Sequence, residues 1–596
     1  MKELFLDLSM KNLILIFIIS LFIRLIYLGV VPVSLAHDEV DNIIQAYSVR
    51  FTGHDIAGSW LPWSLLPNSG VMAELGPIIN LPAITLLPNS LFTSHLTTAL
   101  LSSFYPIIVC LLLVSLGSPK FVAYSASLLL AISPWHIIFS RTALEQPTSL
   151  FFYTLSWLFL TRIYLPSKKK VSIYLNIIIF SLSYSAGFFS YHGYKFALPI
   201  LTLMVLGYLF YQYRHALTWQ KFVLPILIVL GLLLRTYIYS DYYSSRGKEI
   251  ILFQTESFSK VVDNDRRLSL VPDSVDSIFS NKLTVLIDIL SKKYLMTISP
   301  DILFTSGETN GVFSVGRIGY VYLVCLPFIA IGLVYLLYLH GPLESLILLL
   351  LLISPLASVI HINNTLAFRS GIYFVLLNIV ISYGIYAVWK YLHSRMFIIL
   401  ISFILAIGFA RFGYIYFSIH PVESATAYFF SDRLVGNYLS HNQGQNILVI
   451  DPQPRYVLSQ WLLSKSYIGE EDIKKFDNHY SSNDLDIYHV GSIEIMRSCP
   501  LDTETSYDTI IVDRDILAGL NDCEPIQKLI FKSQITKINQ RALVSPLDSG
   551  MEKLIIGDSI CNDLELGRYI HPTSLTDFEL SKLNRFEFCQ KWVVEQ

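Results

Sequence analysis

Residues 12–31 read NLILIFIISLFIRLIYLGVV and lead, five residues on, into His37-Asp38-Glu39-Val40-Asp41. Between Leu13 and Val31 only Ser20, Arg24 and Tyr27 interrupt the apolar run. A helix needs roughly 20 apolar residues to cross the hydrocarbon, so the run is long enough to span. It is too long for the core of a signal peptide, and no small-residue cleavage pattern follows it. It therefore reads as a retained anchor. A carboxylate pair is costly in lipid, so Asp38 and Glu39 belong at the water boundary or in a polar cavity.

The rest of the chain extends this pattern. Of 596 residues, 53% are hydrophobic and 15% charged, against about 25% charged in an ordinary soluble domain. The fold class expected is an all-α polytopic membrane protein with an α/β or α+β domain at its C-terminus. Candidate spans lie at 12–30, 95–117, 119–138, 148–165, 172–190, 196–212, 221–239, 318–339, 343–360, 367–389 and 396–417, about eleven by the length rule. Residues 75–90 are apolar but broken by Pro77, Pro82 and Pro88, and read as an interfacial or re-entrant segment. The 36 Tyr and 37 Phe suit aromatic belts at the membrane surfaces. A net charge of −2 offers no basic field for nucleic acid.

Basic residues in short loops set the orientation. With Lys2 and Lys11 inside, the inner loops also hold Lys120, Arg162, Lys168, Lys169, Lys170, Arg214, Lys221, Lys390 and Arg395. Loop 31–95, loop 240–317 and the tail 418–596 then fall outside. Two units follow: a membrane-embedded unit over 1–417 and an extracytoplasmic unit over 418–596. The tail is polar and carries strand-like runs at 446–450, 509–512 and 553–556, bounded by turn formers. Four of the six cysteines, Cys499, Cys523, Cys561 and Cys589, lie in it. An even count in an outside domain points to two disulfides; pairing of neighbours is the simplest of three connectivities. Cys110 and Cys325 fall within spans and serve as small apolar residues.

Ionisable groups collect at the outer ends of the spans. Loop 31–95 carries His37, Asp38, Glu39, Asp41, Arg50, His54, Asp55 and Glu74. Three later turns return charge to the same face. They run from Ser133-Pro134-Trp135-His136 to Arg141-Thr142-Ala143-Leu144-Glu145, over Tyr191-His192-Gly193-Tyr194-Lys195, and from His361 to Arg369. A cavity with acids on one wall and cations on another suits transfer of a sugar from a lipid phosphate. A carboxylate takes the proton of the acceptor, and cations stabilise the departing phosphate. Arginine meets phosphate oxygens with a planar fork, lysine with a point charge.

On these features the chain resembles the GT-C superfamily of glycosyltransferases that use polyprenyl-phosphate sugars. Within it the chain is similar to the protein O-mannosyltransferase and aminoarabinose transferase group (family 39-like). The resemblance covers roughly residues 10–417. It rests on Asp38-Glu39 early in loop one, the stretch Ser133 to Glu145, the turn Tyr191 to Lys195, and a large outer loop followed by four spans. It implies an inverting direct displacement with a polyprenyl-phosphate-linked sugar as donor. The acceptor is a protein, lipid or glycan. Asp38 is then the general base, with Glu39 orienting it or the acceptor. The resemblance places Arg141, Lys195 and Arg369 on the carrier phosphate with His192 as a helper. Glu74 faces the sugar or a metal, and Glu145 completes the substrate-binding set. A divalent metal ion is the one cofactor left open.

Each of these residues also has a plainer reading. Asp38 would serve as the N-cap of an interfacial helix over 39–50. Glu39 would face the positive end of that helix. Arg141 and Glu145, four apart, would form a helical ion pair. Arg24, Lys195 and Arg369 would be span-end residues whose charges reach for water. His136 and His361 would mark span boundaries, and Tyr242 and Tyr243 the interface.

Three other functions fit parts of the pattern. A secondary transporter would show duplicated halves and charge near the midplane, and neither is evident. A sensor or assembly protein leaves the acids and cations of four loops without a role. A phosphoethanolamine-type transferase needs a dense Asp/His metal cluster in its soluble domain, which the tail lacks.

Overall fold

In the computed structural model, the structure describes residues 9–66, 72–165, 170–214, 219–239, 255–359, 365–425, 427–441, 444–481, 487–499, 507, 509–513, 540–544, 552–556 and 593–595. His361, Asn363, Asn364, Lys168, Lys169, Tyr242, Tyr243, Cys523, Cys561 and Cys589 lie outside the described residues.

Every stretch read as a span contains a helix among the described residues. The chain begins with α1 (Met10–Leu25), and loop one supplies α2 (His37–Thr52) and α3 (Gly76–Leu86). The bundle continues with α4 (Leu91–Ser115), α5 (Lys120–Ile132), α6 (Pro134–Ser140), α7 (Glu145–Tyr164), α8 (Lys170–Ser190), α9 (Tyr194–Tyr213) and α10 (Trp219–Ile238). The loop that follows carries α11 (Thr255–Leu268), α12 (Asp273–Phe279) and α13 (Lys282–Thr297). Four more bundle helices follow: α14 (Leu326–Leu339), α15 (Pro342–Ile353), α16 (Gly371–Leu392) and α17 (Arg395–Tyr414).

Six helical segments among the described residues are long and apolar enough to cross a membrane, and the bent pair α5–α6 makes seven. The chain is a multi-pass membrane protein. This count is lower than the eleven apolar stretches, and the reasons are local. Helix α1 has 16 residues, short of a full crossing. Helix α7 has 20 but carries Gln146, Thr148, Ser149, Thr154, Ser156 and Thr161, all buried. A helix enclosed by other helices can carry polar groups that a lipid-facing one cannot. The 55° bend between α5 and α6 falls at Ser133-Pro134, with Pro134 in the first turn of α6. Proline has no N–H to donate and is tolerated there.

The C-terminal unit opens with α18 (Phe430–His441) and builds a mixed seven-stranded sheet. Strand β1 (Ile447–Ile450) lies parallel to both β3 (Ile493–Met496) and β4 (Thr509–Asp513). Between β1 and β3 the chain passes through α19 (Pro454–Leu463), α20 (Glu470–Ser481) and β2 (Tyr488–Val490). Strands β5 (Gln540–Val544), β6 (Glu552–Ile556) and β7 (Val593–Glu595) add antiparallel neighbours, giving the order β2-β3-β1-β4-β6-β5-β7. Parallel strands need a crossover, and the helices between β1 and β3 provide it. Cys499 is disulfide-bonded, whereas Cys110 and Cys325 are free and buried in the bundle.

The two units share a core. Helix α2 is amphipathic, with Val40, Ile43, Ile44 and Tyr47 at i, i+3, i+4 and i+7. These four pack in one buried cluster with Leu434, Tyr438, Val457, Leu458 and Ile473 of the C-terminal unit. Polar contacts follow the same seam. Arg455 donates to Asp41, as does the Tyr456 hydroxyl at 3.3 Å. The His37 ring is stacked between Phe429 and Tyr456. Loop one is thus the platform on which the C-terminal unit sits.

Candidate active site

The acid pair divides at the first turn of α2. The helix begins at His37 with Ala36 as N-cap, so Asp38 is inside the first turn and not the cap itself. Asp38 is exposed while Glu39 is fully buried. Glu39 Oε2 accepts from the Ala36 amide at 2.8 Å and Oε1 from the Ala143 amide at 2.6 Å. His95 Nε2 lies 3.4 Å from the same Oε1. The carboxylate closes the helix start as an N3 acid does and ties loop one to the chain ahead of α7. Expected as a partner of the chemistry, it is committed to main-chain donors.

Arg141 is also committed. Its guanidinium donates to the carbonyls of Ile23 and Arg24 through Nη1 and of Val31 through Nη2, at 2.8–2.9 Å. The carbonyls at the end of a helix lack intrahelical partners, and a cation there also meets the negative end of the dipole. Arg141 is fully buried and lies before the start of α7, so it is not on the helix that Glu145 begins. Arg24 and His136 are buried against one another, with Arg24 also donating to Ser20 and Ala131 carbonyls. His136 is therefore interior, not a boundary residue.

Glu74 and Lys195 meet in the interior. Lys195 Nζ lies 2.8 and 2.6 Å from the two Glu74 oxygens, and Arg235 Nη1 is 3.6 Å from Oε1. His192 Nε2 contacts the Met72 carbonyl at 2.7 Å, and the Leu75 amide donates to the Phe189 carbonyl. The turn after α8 is so fastened to the end of loop one.

Around Tyr191 the remaining charges gather. The charges of Arg369, Glu145 and Asp38 all act on the buried Tyr191 phenol. Glu145 Oε1 accepts from the Ala73 amide at 3.3 Å and lies close to Gly76, where a Cβ would stand 2.3 Å from it. Glu145 also acts on Lys195, which connects this cluster to the buried ion pair.

Two members were not foreseen. Glu308, in the loop after α13, is buried and accepts from the Ala367 amide, while its Oε2 has no hydrogen-bond partner. Burial pushes its carboxyl up to about 7, against the opposing pull of the Ala367 and Leu366 amides and Arg369. Lys293 of α13 is buried and faces Arg369 electrostatically. Their sequence signal was slight: Glu308 sits in the polar run Ser306-Gly307-Glu308-Thr309-Asn310, and Lys293 follows Lys292 in an amphipathic helix. Arg369 Nη1 is buried and makes no hydrogen bond. Among the described residues no cluster of three or more His, Cys, Asp or Glu is placed to hold a metal.

No family model and no curated protein matches the chain. Among solved structures it is similar to the archaeal oligosaccharyltransferase AglB from Archaeoglobus fulgidus, in complex with an inhibitory peptide and a dolichol-phosphate. That match has 12% identity and a TM-score of 0.43, and covers 91% of this chain and 74% of that one. The Archaeoglobus fulgidus oligosaccharyltransferase tethered with an acceptor peptide containing the NVT sequon gives 12%, 0.44, 91% and 73%. The same organism's oligosaccharyltransferase complexed with Zn and sulfate gives 13%, 0.42, 91% and 72%.

Proposed function

We propose that this protein is a GT-C-type membrane glycosyltransferase. It moves a sugar from a polyprenyl monophosphate to a protein, lipid or glycan acceptor outside the cytoplasm. The observation that carries the reading is the set of charges that act on Tyr191, namely an exposed Asp38, Glu145 and Arg369 from three separated segments, with Glu308 and Lys293 within electrostatic reach of Arg369. The orientation rests on the basic short loops described above.

Asp38 takes the proton of the acceptor hydroxyl or amine. The acceptor atom bonds to the anomeric carbon as the bond from that carbon to the phosphate oxygen breaks. The electron pair leaves on the phosphate, where Arg369 meets the developing charge with its unused Nη1 donor. Attack from the face opposite the phosphate inverts the anomeric centre. Glu145 orients the sugar. Glu74 and Lys195 shape the wall behind it, with His192 holding the turn. Glu39 and Arg141 are positioning residues: they set the start of α2 and the end of α1.

The test is sugar transfer by purified protein from labelled polyprenyl-phosphate sugars to a membrane extract. Asp38→Asn is run beside the natural protein, each with and without chelator. Loss of a general base costs on the order of 10²- to 10⁴-fold. Transfer that falls in this range, with the variant's melt unchanged, supports Asp38 as the base. Equal transfer by both removes it from the mechanism, and the chelator lanes report the metal requirement.

A further inference from the structure

Away from the Tyr191 cluster, the seam between the two units encloses a second cleft of about 270 Å³. Its floor is the start of α4, and its walls are α18 and α19. At Gly436 the two walls touch: a Cβ there would stand 2.6 Å from the Gln460 carbonyl carbon. That approach sets Arg433 and Asn437, one turn apart on α18, beside Gln460 of α19. The acceptors nearby are occupied. Asn89 Nδ2 donates to the Leu463 and Lys465 carbonyls at 2.8 Å, and the Asn89 amide to the Ser466 carbonyl. Ser94 and Ser464 donate to main-chain carbonyls of their own helices.

The cleft holds a buried, unused donor. Gln460 is 4% exposed, and its Nε2 has no hydrogen-bond partner. An amide N–H buried in this way costs free energy until something accepts from it. The Arg433 guanidinium lines the same space and also donates to the Val33 carbonyl. Burial lowers its pKa to about 9, which still leaves it charged at neutral pH. Helix α4 is 25 residues long and points its positive end into the cleft, with Ser90 as N-cap accepting from the Thr93 amide.

We propose that this cleft binds a phosphate group and that its occupancy fastens the C-terminal unit to the start of α4. The donors come from three directions: α18, α19 and the end of α4. A tetrahedral oxyanion presents oxygens to all three, whereas the two coplanar oxygens of a carboxylate do not. The phosphate can come from solution or from a phospholipid headgroup.

The experiment uses the full chain, purified in detergent without phosphate or phospholipid. Inorganic phosphate and a short-chain phosphatidic acid below its micellar concentration are titrated separately by calorimetry, with the melting temperature followed in parallel. Saturable binding of either probe, with a rise in melting temperature, is expected. Binding of both assigns a site open to the free ion, and binding of phosphatidic acid alone assigns a headgroup site. Gln460→Leu, which removes the donor at similar volume, is expected to weaken binding at least tenfold. Gln460→Glu keeps the shape and adds a repelling charge; it carries the test if the leucine variant does not fold. Absence of binding by both probes, or equal affinity in a folded Gln460 variant, overturns the proposal.

Discussion

Glu308 is the residue whose environment departs most from what its place in the sequence suggests. Its folded pKa of about 7 stands above the ordinary value of 4.5. Between these two pH values the folded chain binds more protons than the unfolded one. The carboxyl's contribution to stability is thus fully present below about 4.5 and is lost as pH rises through 7. The full swing is about 3 kcal/mol at one pKa unit per ~1.4 kcal/mol. Glu308→Gln cannot titrate, so it is expected to gain on the natural protein as pH rises from 5 to 8. Melting curves of both proteins across that range check this; parallel curves would refute it. Nothing in the residues around Glu308 announces a buried acid, because the groups that act on it, the Ala367 amide and Arg369, lie some sixty positions along the chain. Asp38 and Glu39 show the complementary case. The sequence marks the pair, but only the first turn of α2 decides which carboxylate meets solvent and which is tied to main-chain amides.

At the scale of elements, the approach of α3 to α7 is set by Gly76. A Cβ there would crowd Glu145 Oε1 at 2.3 Å and Asn42 Oδ1 at 3.2 Å. Gly76→Ala is expected to cost about 1 kcal/mol by overpacking. Transfer should fall further than stability, by on the order of tenfold or more, since a displaced orienting group is felt at the reacting atoms. Gly53→Ala is the matched control. Gly53 ends α2 at φ +79° with open space around it, so alanine adds strain of about 1 kcal/mol without touching the cluster. Denaturation and transfer assays on both variants separate the two effects. Equal transfer by the two would remove Glu145 from the site. The elements themselves were legible. The apolar runs are helices, and the runs at 447–450, 509–512 and 553–556 are strands. The break at Ser133-Pro134 was less so: the sequence reads as one span, and the 55° bend is what carries Arg141 beneath the end of α1.

For the whole molecule, the decisive feature is the shared core along α2. Cutting the chain after residue 417 would strip Val40, Ile43, Ile44 and Tyr47 of their partners in the C-terminal unit, such as Leu434, Tyr438 and Leu458. Each such side chain is worth roughly 1.5–3 kcal/mol when buried. The truncated protein is expected to show rapid amide exchange over 37–52 where the full chain is slow. Hydrogen exchange read by mass spectrometry tests this, and unchanged protection would mean that α2 stands on the membrane unit alone. A composition change near residue 418 marks a boundary in the sequence, yet the core runs across it.

The sequence by itself determined the membrane class, the helical stretches, three of the seven strands of the tail and the collection of ionisable groups near span ends. These are properties of local composition and periodicity, which a window of some twenty residues contains. Tertiary structure alone decided which charges meet. Glu39 and Arg141 went to main-chain partners and Glu74 to Lys195, while the charges of Asp38, Glu145 and Arg369 act together on Tyr191 and Arg369 acts on Glu308 and Lys293. The physical reason is that a buried charge goes to whichever partner satisfies it at least desolvation cost. Those partners are brought near by packing between helices far apart in the chain.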